Sequence, residues 1–362
     1  MSKQEYNVIG MMSGTSLDGI DLAHIKFDVY NNKWTYRLLE TATIAYPKNW
    51  LTQLRNAISF SVNELQLLNQ EYTIYLGNTI KNFIDDNQIK DLDAVCSHGH
   101  TILHQPNRGL TLQIGNLPSL AAIIQQKVIC DFRIQDVKLG GQGAPLVPIG
   151  DRILFSDYEY CLNLGGFSNI SFEENNCRRA FDISPVNTVL NHYAEKLGLP
   201  FDDKGKMAKS GNCNTFLLDA LNTLDYYKKQ PPKSLGMEFV NATIFPLIKS
   251  FSLTPQDILH TFTEHIAQQI SKVLPQSKSS LFITGGGAHN DFLIERIHYH
   301  LPEIKLVIPD KKTLEFKEAL IFGLLGVLKL RNEINVLSSV TGALNDHSSG
   351  VIIQNQTPLT HS

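Results

Sequence analysis

One carboxylate and three glycine-rich turns carry the chemistry for which this sequence can be read. The turns are GMMSGTSLDG (Gly10–Gly19), LGGFSN (Leu164–Asn169) and TGGGA (Thr284–Ala288). Glycine lets backbone N–H groups approach an anion closely, and neighbouring hydroxyls add donors. Such turns suit a phosphate. Asp18, inside the first turn, would face a phosphate only with a cation between them, which points to Mg²⁺ held through water. Taken singly, each turn also reads as an ordinary hairpin or strand-to-helix turn. Three in equivalent places of a repeated architecture favour the anion reading. The chain has no G-x-x-x-x-G-K-S/T phosphate loop, and no G-x-G-x-x-G opens a helix.

Asp182 stands in FDISPVN (Phe181–Asn187). A carboxylate at the end of a strand, facing a cleft, can act as a general base. The alternative is an N-cap for a helix beginning near Pro185, although Ser184 is better spaced for that role. His98, His100 and His104 lie close in sequence, but no cysteine or carboxylate nearby completes a metal-ligand set, so hydrogen-bonding histidines are the better reading. Asp202–Gly205 reads either as a polar turn or as a loop beside Mg²⁺, and spacing does not separate the two.

The elements that must position these residues repeat. Tyr6–Met11 is an apolar run. Ile20–Tyr30 alternates, with Ala23, Ile25, Phe27 and Val29 on one face. Asn31-Asn32 makes a tight turn into a strand at Lys33–Ala45. A helix over about Glu64–Ile84 follows. Strands at Asp93–Cys96 and Lys127–Cys130 flank a second helix near Pro118–Gln126. The order is β-β-β-α-β-α-β. The second half repeats it: Tyr160–Leu164, Asn169–Glu173, a turn at Asn175-Asn176, Arg178–Asp182, a helix from Pro185, and a long helix to Lys272 capped by Thr254. Then come Leu281–Thr284, a helix opened by Asn290, Leu306–Ile308 and an apolar helix at Glu315–Leu330. Gly14 and Gly165 lie about 150 residues apart in equivalent places. The expected architecture is α/β, with two lobes flanking a central cleft. Lobe one spans 1–131 and lobe two 132–349, with 350–362 returning to the first. The segment 205–238 reads as loop-rich.

Composition narrows the function. The chain has 362 residues, 43% hydrophobic and 19% charged, enough for a full core in two domains. A net charge of −3 argues against general affinity for nucleic acid or an anionic membrane. Five cysteines, without a C-x-x-C pair, argue against a disulfide framework. No secretory leader or spanning apolar run is evident. The expectation is a soluble cytoplasmic protein.

Taken together, GMMSGTSLDGID, SHGHTILHQP, LQIGN, CDFR with LGGQGAPLVP, NLGGFSNI, FDISPVN, PPKSLGMEF, TGGGAHN and SVTGA resemble the anhydro-N-acetylmuramic acid kinase family, in its order. The resemblance implies the actin-like ATPase fold, with duplicated RNase H-like domains and a nucleotide cleft. It implies ATP- and Mg²⁺-dependent opening of the 1,6-anhydro ring of anhydro-N-acetylmuramic acid, giving N-acetylmuramic acid 6-phosphate during cell-wall recycling. Carried over by position, Ser13, Gly14, Thr15, Ser16, Leu17, Asp18, Gly19 and Ile20 form the ATP phosphate loop. Gly165 and Gly166 form the second loop, and Gly285, Gly286 and Gly287 the adenosine-side loop. Asp182 is the catalytic base, with Asp18 and Asp182 near Mg²⁺. His98, Arg133, Gln142 and Asn187 bind the sugar. The implied partners are the sugar and ATP, and a homodimer is compatible. The sequence departs from the family at His100, where the family usually has Gln, and at Ile183, Ser184 and Val186, where it usually has Thr and two glycines. The last three sit beside the proposed base and could reshape the sugar pocket, alter the rate or mark a divergent substrate. Other readings are a kinase of the same fold without ring opening, and a nucleotide-switched or degenerate homologue.

Overall fold

The alternation along Ile20–Tyr30 becomes an eleven-residue strand whose Leu22, Ala23, Ile25, Phe27 and Val29 are buried. Asn31 and Asn32 take φ of 50° and 62°, and Tyr30 pairs with Lys33 across them. That is a two-residue hairpin whose left-handed positions Asn tolerates. In the second half Asn175 and Asn176 take φ of 53° and 62°, and Glu174 pairs with Cys177. The same turn chemistry is used twice.

The structure, a computed structural model, describes residues 3–14, 16–275 and 277–355. The chain packs as two compact units: Met1–Leu154 with Phe316–Ser362, and Phe155–Glu315. In the first unit β1 (Glu5–Ser13), β2 (Ile20–Tyr30) and β3 (Lys33–Ile44) form an antiparallel meander. β4 (Ala94–Gln105) runs parallel to β1, and β6 (Val128–Cys130) runs parallel to β4. β5 (Leu110–Ile114) folds back on β4, and β12 (Val351–Ile353) pairs antiparallel with β6. In the second unit β7 (Tyr160–Leu164), β8 (Phe167–Glu174) and β9 (Cys177–Pro185) form the meander, and β10 (Ser279–Thr284) and β11 (Ile304–Val307) add in parallel. The orders 6-4-1-2-3 and 11-10-7-8-9 are one topology repeated. The duplicated α/β architecture expected from the sequence is the one observed.

Helices α1 (Val62–Asp86) and α2 (Ser119–Ile124) belong to the first unit, and α3 (Asn187–Glu195), α4 (Pro255–Val273) and α5 (Asp291–His300) to the second. Helix α1 opens with a capping box between Ser61 and Glu64, a pairing that supplies the orphan N–H groups of the first turn. Leu68, Tyr72, Leu76 and Ile80 face the sheet and meet Ile9, Leu22 and Val95 in one core. In the second unit Phe262, Ile266 and Ile270 of α4 cover Leu162, Leu164, Leu281 and Ile283. Helix α6 (Lys311–Leu330) lies so close to β1 that a Cβ on Gly10 would come within 1.9 Å of the Ala319 carbonyl oxygen. Only glycine permits that approach.

Several boundaries differ from the sequence reading. Residues 132–154 and 316–349 pack with the first unit rather than the second. Thr341 Oγ1 donates to buried Asp136 at 2.7 Å, Ser349 Oγ donates to the Phe132 carbonyl at 2.6 Å, and Lys317 pairs with Asp151 at 2.8 Å. Strand β4 runs on through His98 and His100 to Gln105, where the reading stopped at Cys96, because both polar side chains are buried by tertiary partners. The segment 205–238 is not all loop: Lys206–Ser210, Thr215–Asn222 and Asp225–Lys228 are helical. None of the five cysteines, all among the described residues, forms a disulfide. Among the described residues, no helix is long and apolar enough to cross a membrane.

Candidate functional site

Each unit carries its own share of the expected residues. In the first, β1 ends at Ser13 and β2 starts at Ile20, so the intervening loop is set by a strand pair. Ser13 itself is buried. Its Oγ lies 2.6 Å from the Tyr46 hydroxyl and 2.8 Å from His100 Nδ1, and Tyr46 bonds on to Tyr72. The Ser13 hydroxyl is therefore spent inside the fold, not presented as a loop donor. The Leu17 N–H donates to the Gly14 carbonyl at 3.2 Å, with Leu17 at φ 63°. Ser16 and Asp18 are exposed, whereas Ile20 is a wholly buried core residue. Thr15 lies outside the described residues. Gly14 has room: a Cβ there would meet nothing closer than Ser16 Oγ at 3.4 Å.

His98 and Arg133 meet. Arg133 Nε donates to His98 Nε2 at 2.9 Å, and Arg133 Nη1 donates to the Gly143 carbonyl at 2.6 Å. An acceptor Nε2 puts the imidazole proton on Nδ1, which donates to the Gly99 carbonyl at 2.9 Å. Burial and the Arg133 charge hold His98 far below its ordinary pKa, so it stays neutral. Burial lowers Arg133 to about 10, so its guanidinium stays charged at neutral pH. Asp136, wholly buried, accepts the Gly143 N–H at 2.6 Å, so one carboxylate and one guanidinium hold the LGGQGAP segment. Gln142 is exposed, and its N–H donates to the Thr341 carbonyl in the SVTGA motif at 2.8 Å.

Glu318, near Arg133, was not singled out from sequence. Crowding by protein raises its carboxyl above the ordinary value against the opposing pull of Arg133. Among the charged residues of helix α6, which include Glu315 and Lys317, the sequence offers nothing that sets Glu318 apart.

His100 and His104 resolve as hydrogen-bonding histidines. His100 bonds to Ser13, and His104 Nδ1 lies 3.1 Å from Thr111 Oγ1. Among the described residues no group of His, Cys, Asp or Glu forms a metal cage. Asp202 spends both oxygens on the Met207 and Ala208 N–H groups at 2.8 Å each. These bonds anchor the turn Asp202–Gly205 to the helix that follows it.

In the second unit the two glycine turns come together. Gly285 takes φ 84°, and a Cβ there would strike Asn163 Oδ1 at 2.6 Å. Asn187 Nδ2 donates to the Leu164 carbonyl at 3.3 Å, and its backbone N–H donates to the Gly165 carbonyl at 3.2 Å. A Cβ on Gly286 would meet only Asn187 Nδ2, at 3.6 Å, so Gly286 faces open space. The carbonyls of Gly165 and Gly166 thus accept the first N–H groups of helix α3.

That helix starts at Asn187, with Val186 as an uncapped N-cap residue, and Pro185 ends β9. Neither Asp182 nor Ser184 caps it. Ser184 is buried, and its N–H donates to Ser168 Oγ at 3.1 Å. Ile183 and Val186 belong to the core. The three side chains that depart from the family pattern therefore face inward.

Asp182 is half-buried on β9, opposite Asn169, beside a bulge at Ile183. A bulge re-aims the neighbouring side chain. The Leu235 N–H donates to Asp182 Oδ2 at 2.8 Å. Oδ1 makes no hydrogen bond among the described residues. Burial raises the Asp182 carboxyl above its ordinary value, and the Leu235 bond opposes this only in part. The arrangement leaves one carboxylate oxygen free with an enhanced affinity for a proton.

Comparison with known proteins agrees with the motifs. The family described as Anhydro-N-acetylmuramic acid kinase matches residues 6–355. A protein of that name from Francisella tularensis subsp. novicida is 35% identical, over 95% of this chain and 97% of that one. Another, from Pseudomonas savastanoi pv. phaseolicola, is 33% identical over 96% and 99%. Among solved structures, component A of the (R)-2-hydroxyglutaryl-CoA dehydratase of Acidaminococcus fermentans is similar at 11% identity and a TM-score of 0.43. That match covers 88% of this chain and 96% of the other.

Proposed function

This chain belongs to the anhydro-N-acetylmuramic acid kinase family, and from that membership we propose that it uses ATP to open the 1,6-anhydro ring of 1,6-anhydro-N-acetylmuramic acid and phosphorylate O6. The products are N-acetylmuramic acid 6-phosphate and ADP, and the role is recycling of peptidoglycan sugars in the cytoplasm.

The observation that carries the mechanism is Asp182, with Oδ2 held by the Leu235 N–H, Oδ1 unengaged and the carboxyl raised by burial. A raised carboxylate suits a general base near neutral pH. Asp182 takes a proton from water as the water oxygen bonds to the anomeric carbon. The bond from that carbon to O6 breaks. O6 bonds to the γ-phosphorus of ATP as the bond to ADP breaks, and the proton on Asp182 returns to solvent. Catalysis of such a transfer rests mainly on positioning and charge.

The loop Ser13–Ile20 offers backbone to phosphate, and Gly165, Gly166 and Gly285–Gly287 serve the nucleotide. By family position Arg133 and Gln142, with His98 orienting Arg133, serve the sugar from the first unit, and Asn187 is the candidate of the second. By family position Asp18, in the first unit, and Asp182, in the second, are each a candidate to hold Mg²⁺ through water. Bound with ATP, the ion offsets phosphate charge.

The test is product identity. Incubation with Mg-ATP and 1,6-anhydro-N-acetylmuramic acid in ¹⁸O-water should give a ring-opened 6-phosphate carrying ¹⁸O at C1, read by mass spectrometry. A phosphorylated product with an intact anhydro ring would indicate a kinase without ring opening. No product would reject both.

A further inference from the structure

Asp182 lies on an edge strand, since β9 is last in its sheet. An edge strand leaves backbone groups without ladder partners. Here they are taken by one short stretch of chain far away in sequence. The Asp182 N–H donates to the Lys233 carbonyl at 3.2 Å, and the Tyr226 hydroxyl donates to the Asp182 carbonyl at 2.7 Å. The Leu235 N–H holds Oδ2 at 2.8 Å. Residues 226–235 therefore grip the backbone on both sides of the carboxylate and one of its oxygens.

The grip closes on itself. The Tyr226 ring is buried against Tyr227 and Phe239, with centroids 5.5 and 5.3 Å away. The Lys233 ammonium stands 4.9 Å over the Tyr226 ring and 5.9 Å over that of Phe181, the residue before Asp182. A cation over an aromatic face is attracted to it, so the residue that takes the Asp182 N–H is itself tied to the residue that takes the Asp182 carbonyl. Burial, with the Asp182 charge as a smaller contribution, pushes the Tyr226 phenol above its ordinary value, so it stays a neutral donor across the working pH range.

We propose that Tyr226 is a positioning residue for the general base: with Lys233 it clamps the Asp182 backbone, so that Oδ2 stays on the Leu235 N–H and Oδ1 alone receives the proton of the attacking water. This goes beyond assigning the base, and rests on that assignment. The bulge at Ile183 frees the strand to turn, and the clamp decides where it stops.

Tyr226→Phe keeps the ring, its packing and the cation over it, and deletes one O–H donor. Loss of one such bond corresponds to about a tenfold effect. The expected result is a kcat about tenfold lower, with KM for ATP and sugar within about twofold. Asp182→Asn is the reference, with an expected fall of about 10²–10⁴-fold. In Asp182→Asn/Tyr226→Phe, the tyrosine change should add almost nothing, because it acts through the carboxylate. A Tyr226→Phe enzyme with unchanged kcat, beside an inactive Asp182→Asn, overturns the clamp and leaves the base in place. An Asp182→Asn enzyme near wild-type turnover overturns both. A loss in the double variant equal to the product of the single losses also overturns the clamp.

Discussion

At the scale of the residue, the four positions where this chain departs from its family, His100, Ile183, Ser184 and Val186, are all buried. His100 replaces a usual Gln and spends Nδ1 on Ser13 Oγ, packed against Tyr46 and Tyr72. Burial lowers its pKa from 6.5 to about 4. A base depressed on folding binds its proton in the unfolded chain first, so stability falls as pH drops from above 6.5 towards 4. By pH 5 this amounts to something on the order of 2 kcal/mol. His98 and His265 are depressed by burial too, and act in the same direction. His100→Gln retains a hydrogen-bonding amide and cannot titrate. The wild-type melting temperature should therefore drop more steeply than the variant's between pH 7 and 5, and parallel curves would reject the account.

At the scale of the element, the first loop and helix α6 make separable predictions. Gly14 ends no core contact, since a Cβ would meet only Ser16 Oγ at 3.4 Å. Gly14→Val should keep the fold and melting temperature while weakening ATP binding by more than tenfold, measured by titration calorimetry. Unchanged affinity in the folded variant would remove this loop from the nucleotide site. The Lys317–Asp151 pair joins α6 to the segment after Gly143, with side chains only 6% and 5% exposed. Removing one partner of a buried pair costs about 3–5 kcal/mol, because the other charge stays buried. Lys317→Met should lower the urea midpoint accordingly, and Lys317→Met/Asp151→Leu should recover much of the loss. A loss below about 1 kcal/mol in the single variant would show the pair to be solvated.

At the scale of the molecule, the units differ in how the chain builds them. The second is one continuous stretch, Phe155–Glu315, with its own sheet and core. The first needs both ends of the chain, because α6 covers Gly10 and β12 pairs with β6. The junction Glu315/Phe316 falls inside α6, where Phe316 takes φ −111° and ψ 16°. Residues 155–315 expressed alone should melt cooperatively, with dispersed amide resonances, whereas 1–154 alone should not. A non-cooperative 155–315 fragment would show that its core depends on the rest of the chain.

What the sequence determined by itself was local. The two Asn-Asn hairpins, the Thr254 cap with Asp257 and the alternation of β2 depend on a few neighbouring residues. Their backbone preferences need no distant partner. The repeated strand order was legible for the same reason, since each element carries its own period. The capping box of Ser61 and Glu64 is equally local. Tertiary structure alone decided the rest. Asp136 binds Thr341 across 205 positions, which assigns residues 132–154 and 316–349 to the first unit. Tyr46, 33 positions away, takes the hydroxyl of Ser13. The partners of Asp182 come from 44 and 53 positions along the chain, and they leave Oδ1 as the free oxygen. A residue's type is written in the sequence; which of its atoms remains unsatisfied is a property of the packed chain, because distant partners compete for each donor and acceptor.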